Sequence, residues 1–507
     1  MSGIFYGQCV STCKELRRIE RRFALLTSRL ARPFMPKKSA EAMGNDQGNR
    51  RVQFILRIAI AAALGGFLFG YDTAVINGAV SSIQSTFNAS AVNLGLAVSS
   101  ALLGSAAGAL GAGWLADGIG RRRSMWLAAL LFVVSALGSA LASRLIDLVA
   151  WRLIGGVAVG FASVLAPAYI AEISPAEMRG RTGSLQQLAI VLGIFIALLS
   201  DYLLVLATPD QNPMSPLGAM AAWRWMLMSE MVPAVIYGAM VLQIPESPRY
   251  LVQKGRIEQA RLVICKTLGE PTQPVIDRIQ FSLGNHEGSS IADLFSRRTL
   301  LLPIVWTGIL LAVFQQFVGI NVIFYYSSSL WKSVGFSTTD SLIITVITSV
   351  TNVVTTFLAI LTIDRLGRRP LLLMGSVVIT ISLGLMSWAF AGAPIVNGAP
   401  ALSGASSWVA LISANVFVFA FGFSWGPVMW VLLGEMFNNR IRALALGLSA
   451  TVNWLANFVI STTFPVFLES SGPSLAYGLY ATAAAISFFF VLFMVRETKG
   501  RELEDMV

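Results

Sequence analysis

Asp117-Gly118-Ile119-Gly120-Arg121-Arg122-Arg123 closes one long apolar run, and Asp364-Arg365-Leu366-Gly367-Arg368-Arg369 closes another. In both, an acid is followed three residues later by Gly-Arg-Arg. Further along, Glu172 precedes Arg179 by seven residues and Glu435 precedes Arg442 by seven. Basic loops alone set topology, but acidic partners at matching offsets mark two related halves. In a membrane chain, a parallel repeat of that kind places a substrate site between the halves near the bilayer midplane.

The flanking runs show that this is a membrane chain. Apolar stretches lie near 54–77, 94–116, 123–142, 147–170, 182–206 and 221–243, and again near 300–326, 339–363, 370–391, 408–433, 441–467 and 474–495. Each is long enough to cross about 30 Å of hydrocarbon as a helix. The expected fold is therefore all-α: twelve transmembrane helices in two six-helix halves, 54–243 and 300–495. A charge-richer stretch, 244–299, reads as a cytoplasmic helical linker with a helix over Ile257 to Leu268, and 496–507 as a short cytoplasmic tail. Loops after even-numbered spans carry the arginines and loops after odd-numbered spans are almost bare, which predicts cytoplasmic termini.

Of 507 residues, 55% are hydrophobic and only 12% charged, with a mean hydropathy of +0.69, against about a quarter charged in soluble proteins. The net charge of +11 sits in a tail and in short loops, which argues against a nucleic-acid partner. Cys9, Cys13 and Cys265 are too scattered for a disulfide framework, and His286 stands alone, so no metal or cofactor is expected and no catalytic constellation can be assembled. Residues 1–53 form a basic tail in which Leu16, Ile19, Phe23, Leu26 and Leu30 recur at helical spacing among arginines. A helix lying on an anionic membrane surface, a disordered extension ahead of a start at Met43, and a targeting segment are all compatible with it.

Charges inside spans are expensive, about 3 kcal/mol each, and the few singled out are Asp72, Arg152 and Glu230, which can share one depth. Burial favours the neutral form of a carboxylate and a guanidinium favours the anion, so an arginine that moves makes a proton switch. Asp72 is read as the proton carrier, Arg152 as its partner and Glu230 as an alternative partner; a static buried ion pair is the other reading. Gln187, Gln315, Gln316, Asn321, Asn352 and Asn453 put amides near mid-membrane, where they offer donors and acceptors without a charge. Trp430 and Trp454 add flat faces for a sugar ring. Singly, such amides also serve as glue between helices; together they suggest a polar cavity. Gly104 with Gly108, and Gly156 with Gly160, have the spacing that lets helices approach closely.

Phe69-Gly70-Tyr71-Asp72, Pro245-Glu246-Ser247-Pro248-Arg249, Gln315-Gln316-Phe317-Val318-Gly319-Ile320-Asn321 and Glu497-Thr498-Lys499-Gly500 resemble the signatures of the sugar porters of the major facilitator superfamily. The likeness runs from about residue 54 onward and is greatest to bacterial proton-coupled members that carry glucose or xylose. It implies an alternating-access carrier in the bacterial inner membrane that imports a monosaccharide, D-glucose first among hexoses, with a proton, acting as a monomer. It implies the same sugar and proton residues, and adds a cytoplasmic charge network of Asp117, Arg121, Glu172, Arg179, Asp364, Arg368, Glu435 and Arg442. Gly118 stands where the family usually has arginine and Arg496 where it has proline. Ile194 replaces a sugar-contacting glutamine of xylose carriers, which favours a hexose. Facilitated diffusion of a hexose, pentose or polyol, and a sugar sensor that does not transport, are the alternative readings.

Overall fold

With no water in the bilayer core, a chain this apolar has to satisfy its backbone internally, and it does so as helices. The computed structural model describes residues 45–267, 272–284, 291–296, 300–392, 395–396, 399–400, 402, 404–437 and 441–499. The basic stretch 16–30 therefore lies outside the described residues, as do Cys9, Cys13 and His286. The first five spans are α1 (Asn45–Phe87), α2 (Ala91–Ile119), α3 (Arg121–Leu141), α4 (Leu145–Ile173) and α5 (Ala176–Leu206). The sixth is bent into α6 (Ala222–Ser229) and α7 (Met231–Val241), which meet at Glu230. Pro233 has no N–H to give the Ser229 carbonyl, so the joint lacks one helical bond.

Three short helices follow, α8 (Pro248–Gln253), α9 (Ile257–Thr267) and α10 (Thr272–Gly284), packed on a small core of Leu251, Val252, Ala260, Ile264, Val275 and Ile276. Arg51 Nε donates to the Thr267 carbonyl at 2.8 Å and ties this linker to the base of α1. The second set comprises α11 (Pro303–Phe317), α12 (Ile320–Ser333), α13 (Thr338–Leu366), α14 (Arg368–Ala391), α15 (Ala405–Phe423), α16 (Trp425–Met436), α17 (Arg442–Ser470) and α18 (Gly472–Met494). Among the described residues, eleven helical runs are long and apolar enough to cross a membrane by length and composition; α6 and α7 are the shorter twelfth.

Besides the sixth, two more spans expected to be continuous are each a pair of helices. The run near 300–326 begins only at Pro303 and breaks at Val318–Gly319, where Gly319 has φ +79° and a Cβ would come within 2.4 Å of the Tyr480 ring. The run near 408–433 breaks at Ser424. Elsewhere the halves copy one another. Helix α2 starts at Ser90, which accepts from Asn93 N, and ends at Gly120 with φ +96°. Helix α13 starts at Ser337, which accepts from Asp340 N, and ends at Gly367 with φ +90°. A side-chain cap at one end and a glycine free to take positive φ at the other fix both lengths.

The glycine stripes do what their spacing suggests. A Cβ on Gly156 would lie 1.9 Å from the Ala101 carbonyl oxygen, and one on Gly104 2.2 Å from that of Leu153, so α2 and α4 touch backbone to backbone. Gly70 and Gly193 seat α1 on α5 in the same way. Between the halves, α2 meets α17, α5 meets α13, and α1 meets α12. An even number of crossings brings α1's start and α18's end to one face, the terminal face. At the opposite, far face the halves are bonded together. Asn77 Nδ2 donates to Phe324 O at 2.8 Å, Ser328 Oγ to Asn77 O at 2.7 Å, and Lys332 Nζ to Ser81 Oγ at 3.3 Å. Gln211 Oε1 accepts from Thr339 Oγ1 at 2.8 Å on the same side.

Candidate functional site

Asp72 on α1, Arg152 on α4 and Glu230 at the α6–α7 joint are 1%, 3% and 2% exposed and come together from three elements. Arg152 Nη1 reaches Asp72 Oδ1 at 3.0 Å and Asp72 O at 3.1 Å. Gly155, one turn below Arg152, leaves the room: a Cβ there would sit 3.3 Å from Asp72 Oδ1. Glu230 makes no ion pair with Arg152 in this structure; its carboxyl lies beside that of Asp72. Asp72 Oδ2 and Glu230 Oε1 are buried with no donor among the described residues. Two carboxyls and one guanidinium buried together balance in charge when one proton is bound.

Across the inter-half boundary lies a chain of amides. Asn321 Nδ2 donates to Gln316 Oε1 at 2.6 Å, Gln316 Nε2 to Asn453 Oδ1 at 3.0 Å, and Asn453 Nδ2 to Gln315 Oε1 at 2.8 Å. Gln315 Nε2 ends the chain on the Trp425 carbonyl at 3.2 Å. The break at Gly319 allows this, since it lets Asn321 turn back on Gln316 from the next helix. Trp454 is buried against Phe69, ring centroids 5.1 Å apart, so an N-half aromatic meets a C-half one beside the amides. The Tyr325 hydroxyl accepts from Asn457 Nδ2 at 3.3 Å.

The other expected sugar contacts are looser. Gln187 is half-buried on α5 and Asn352 is buried on α13 with its Oδ1 near Gly422; neither side chain has a protein partner among the described residues. Trp430 is 37% exposed. Gln186, beside Gln187, is the one turned inward, against Gly66. The structure therefore joins Gln315, Gln316, Asn321 and Asn453 by bonds and leaves Gln187, Asn352 and Trp430 unjoined to them.

At the terminal face, Arg121 pairs with Asp117 at 2.9 Å and Glu172 at 3.3 Å, and Arg368 pairs with Glu435 at 2.8 Å. The side chains of Arg179, Asp364 and Arg442 lie outside the described residues. What the sequence reading missed is the second layer. Glu246 accepts from the backbone N–H of Arg121 and Arg122, and Ser247 donates to Glu172. Glu497 accepts from the N–H of Arg368 and Arg369, and Thr498 donates to Glu435. Glu-Ser and Glu-Thr are thus the same part in each half: an acid capping the helix that Gly-Arg-Arg begins. Burial pushes the Glu497 carboxyl up, but the amides of Lys499, Arg368, Arg369 and Thr498 outweigh it and hold it below the usual glutamate range. Such a group contributes stability above its unfolded pKa and loses it as pH falls through the folded value. Glu497→Gln should cost about 1 kcal/mol at neutral pH, a cap's worth, and flatten the acid side of the melting profile below the ordinary glutamate range, read by scanning fluorimetry.

One intramembrane carboxyl escaped the sequence reading. Asp201, on α5, is 0% exposed and accepts from Gly78 N at 3.1 Å. It lies inside the expected fifth span, 182–206, and was not singled out there. Asn77, Tyr325 and Asn457 were missed as well; the polar types in spans 1, 7 and 11 were the available signal.

Residues 58–507 match the family described as Sugar (and other) transporter. The chain is 56% identical over 462 residues to the glucose transport protein of Synechocystis, covering 91% of this chain and 98% of that one. It is 36% identical to the D-xylose-proton symporter of Escherichia coli, covering 89% and 95%. The inward open conformation of the xylose transporter XylE from E. coli superposes with a TM-score of 0.75 at 34% identity, covering 89% of this chain and 99% of that one.

Proposed function

Since the chain belongs to the sugar (and other) transporter family, we propose that it imports D-glucose by proton symport, working as a monomer through alternating access. It is a multi-pass membrane protein that transports sugar. The observation that carries the symport reading is the placement of Asp72, Arg152 and Glu230 in one half against the amide chain in the other. A sugar bound to Gln315, Gln316, Asn321 and Asn453 touches the half that must move, while a proton on the carboxyl pair releases Arg152 in the half that must receive it. Gln187, Asn352, Trp430 and Trp454 complete the sugar's surroundings. The 56% identical relative's name supports glucose, and the symporter names among the relatives support the proton.

The Lys/Arg bias of the loops supports a cytoplasmic terminal face in a bacterial inner membrane. The bonds across the far face support an inward-facing state. The pairs Arg121–Glu172 and Arg368–Glu435, with Asp117, Arg179, Asp364 and Arg442, are the parts of a latch that closes the cytoplasmic side in the opposite state. The test is uptake of labelled glucose into vesicles of purified protein, with and without an inward proton gradient, competed by xylose, fructose, galactose and inositol. A gradient worth 100 mV supplies about 2.3 kcal/mol, so symport gives nearly fiftyfold accumulation. Equilibration without accumulation makes the protein a facilitator, and uptake of a competitor alone changes the substrate.

A further inference from the structure

Trp425 opens α16 directly after the break at Ser424 and is fully buried there. Its indole and its peptide carbonyl serve two different hydrogen-bond chains. The indole Nε1 donates to Ser376 Oγ of α14 at 3.0 Å, Ser376 Oγ lies 3.0 Å from Ser487 Oγ of α18, and Ser487 Oγ donates to the Ala484 carbonyl at 2.7 Å. An indole only donates and a carbonyl only accepts, so the direction of this chain is fixed at both ends. A Cβ on Gly375 would run into Ser424 Oγ, so the bare backbone beside Ser376 is what lets α14 close on the break. Ser376 and Ser487 are, like Trp425, 0% exposed.

The second chain starts at the peptide. Each side-chain amide carries two N–H hydrogens. Gln315 Nε2 gives to the carbonyls of Trp425 and Gly426 at 3.2 and 3.4 Å. Asn453 Nδ2 gives to the Ala312 carbonyl at 3.1 Å and to Gln315 Oε1 at 2.8 Å. Gln316 Nε2 gives to Gln315 Oε1 at 3.2 Å and to Asn453 Oδ1 at 3.0 Å. The hydrogens of these three amides are therefore all engaged. What stays open is nearly all acceptor: a lone pair on Gln316 Oε1, another on Asn453 Oδ1, and Asn321 Oδ1, against the second N–H hydrogen of Asn321. Amides by themselves could point either way; main-chain carbonyls, which cannot donate, choose the direction.

We propose that the carbonyls of Trp425, Gly426 and Ala312 lock the amide cluster in an acceptor-rich polarity, so that it selects a sugar by the hydroxyl hydrogens the sugar donates, and that Ser376 is the positioning residue that holds Trp425 in place for this. The proposal rests on the reading that the cluster holds the sugar. Ser376 touches the Trp425 indole and not the ligand, and acts through the peptide at the break. Replacing a sugar hydroxyl by hydrogen removes its donor and its acceptor; replacing it by fluorine removes the donor and leaves a weak acceptor. A cluster of this polarity rejects both replacements alike.

The test uses full-length protein in vesicles and measures half-saturation and maximal rate of exchange for glucose and for its deoxy and fluoro analogues at each ring position, in wild type, Asn453→Ala and Ser376→Ala. The positions that the cluster reads are those whose deoxy penalty shrinks in Asn453→Ala. At those positions, fluoro and deoxy analogues should bind wild type equally, each about tenfold more weakly than glucose, the scale of one hydrogen bond. Ser376→Ala removes one oxygen and little volume. It should weaken glucose about threefold to tenfold and narrow the gap between glucose and the fluoro analogues, because the amides can then turn, while the maximal rate stays near wild type. Fluoro analogues that bind like glucose at those positions overturn the polarity. Wild-type half-saturation and an unchanged fluoro gap in Ser376→Ala overturn its positioning role, as does a lowered melting temperature or maximal rate with half-saturation unchanged, which marks packing. If no deoxy penalty depends on Asn453, the sugar does not sit on the amides and the polarity falls with that reading; penalties that do depend on Asn453, beside fluoro analogues that bind like glucose, sink the polarity alone.

Discussion

Asp72→Asn is expected to abolish uphill sugar accumulation while exchange of labelled sugar across the membrane continues. The amide presents an oxygen where Asp72 Oδ1 now accepts Arg152 Nη1 at 3.0 Å, so the local packing is kept. What it cannot do is bind and release a proton. Arg152 would be left with an uncompensated buried charge, a loss of about 3–5 kcal/mol when a pair is broken, were Glu230 not beside it to take over. With no proton to carry, the roughly fiftyfold ratio that 100 mV supports collapses to equality inside and outside. Parallel accumulation and counterflow assays on one vesicle preparation check this. Uphill uptake surviving in the variant would hand the proton to Glu230 and leave Asp72 a structural partner of Arg152.

Asn453→Ala should lower sugar affinity about a hundredfold. Asn453 is the hub of the amide chain, bonded to Gln315 Oε1, Gln316 Nε2 and the Ala312 carbonyl. Its loss takes one bond each from Gln315 Oε1 and Gln316 Nε2 and leaves them their mutual bond at 3.2 Å, a cost of about 1–3 kcal/mol, and removes a proposed ligand contact besides. Asn453→Gln should cost far less, since the longer amide can re-enter the chain. Tryptophan quenching by glucose, or half-saturation of exchange, gives the affinity. Unchanged binding in Asn453→Ala would mean that the amides are glue between α11 and α17 and that the sugar sits elsewhere.

Much of this architecture was legible because hydropathy and charge offsets report on the solvent. Spans, their pairing into halves and the acid-arginine repeats all follow from what a bilayer does to a chain. The breaks at Gly319 and Ser424 were invisible to that reasoning, since an apolar window has the same hydropathy whether its helix is straight or interrupted. Gly319 shows what was missing: its positive φ matters only because the Tyr480 ring fills the space where a side chain would be. The site was half legible. Charges inside spans stand out, so Asp72, Arg152 and Glu230 were singled out and prove to be neighbours, although Asp201 was passed over; amides announce only polarity, and whether Asn352 or Asn453 joins the chain depends on helix rotation that composition does not encode. Glu246 and Glu497 were quoted as parts of motifs, yet their common role needed the coordinates, because each caps a helix more than a hundred residues earlier in the chain.

The contacts that join the halves at the far face have a further property. Asn77 with Phe324 and Ser328, Ser81 with Lys332, and Gln211 with Thr339 are single hydrogen bonds, and no carboxylate takes part in any of them. The terminal-face parts are guanidinium–carboxylate pairs. Mobile ions screen the second kind and leave the first nearly untouched. If the terminal-face pairs form the proposed latch, raising the ionic strength weakens that door and not the other, and tilts the resting balance toward the state open at the terminal face.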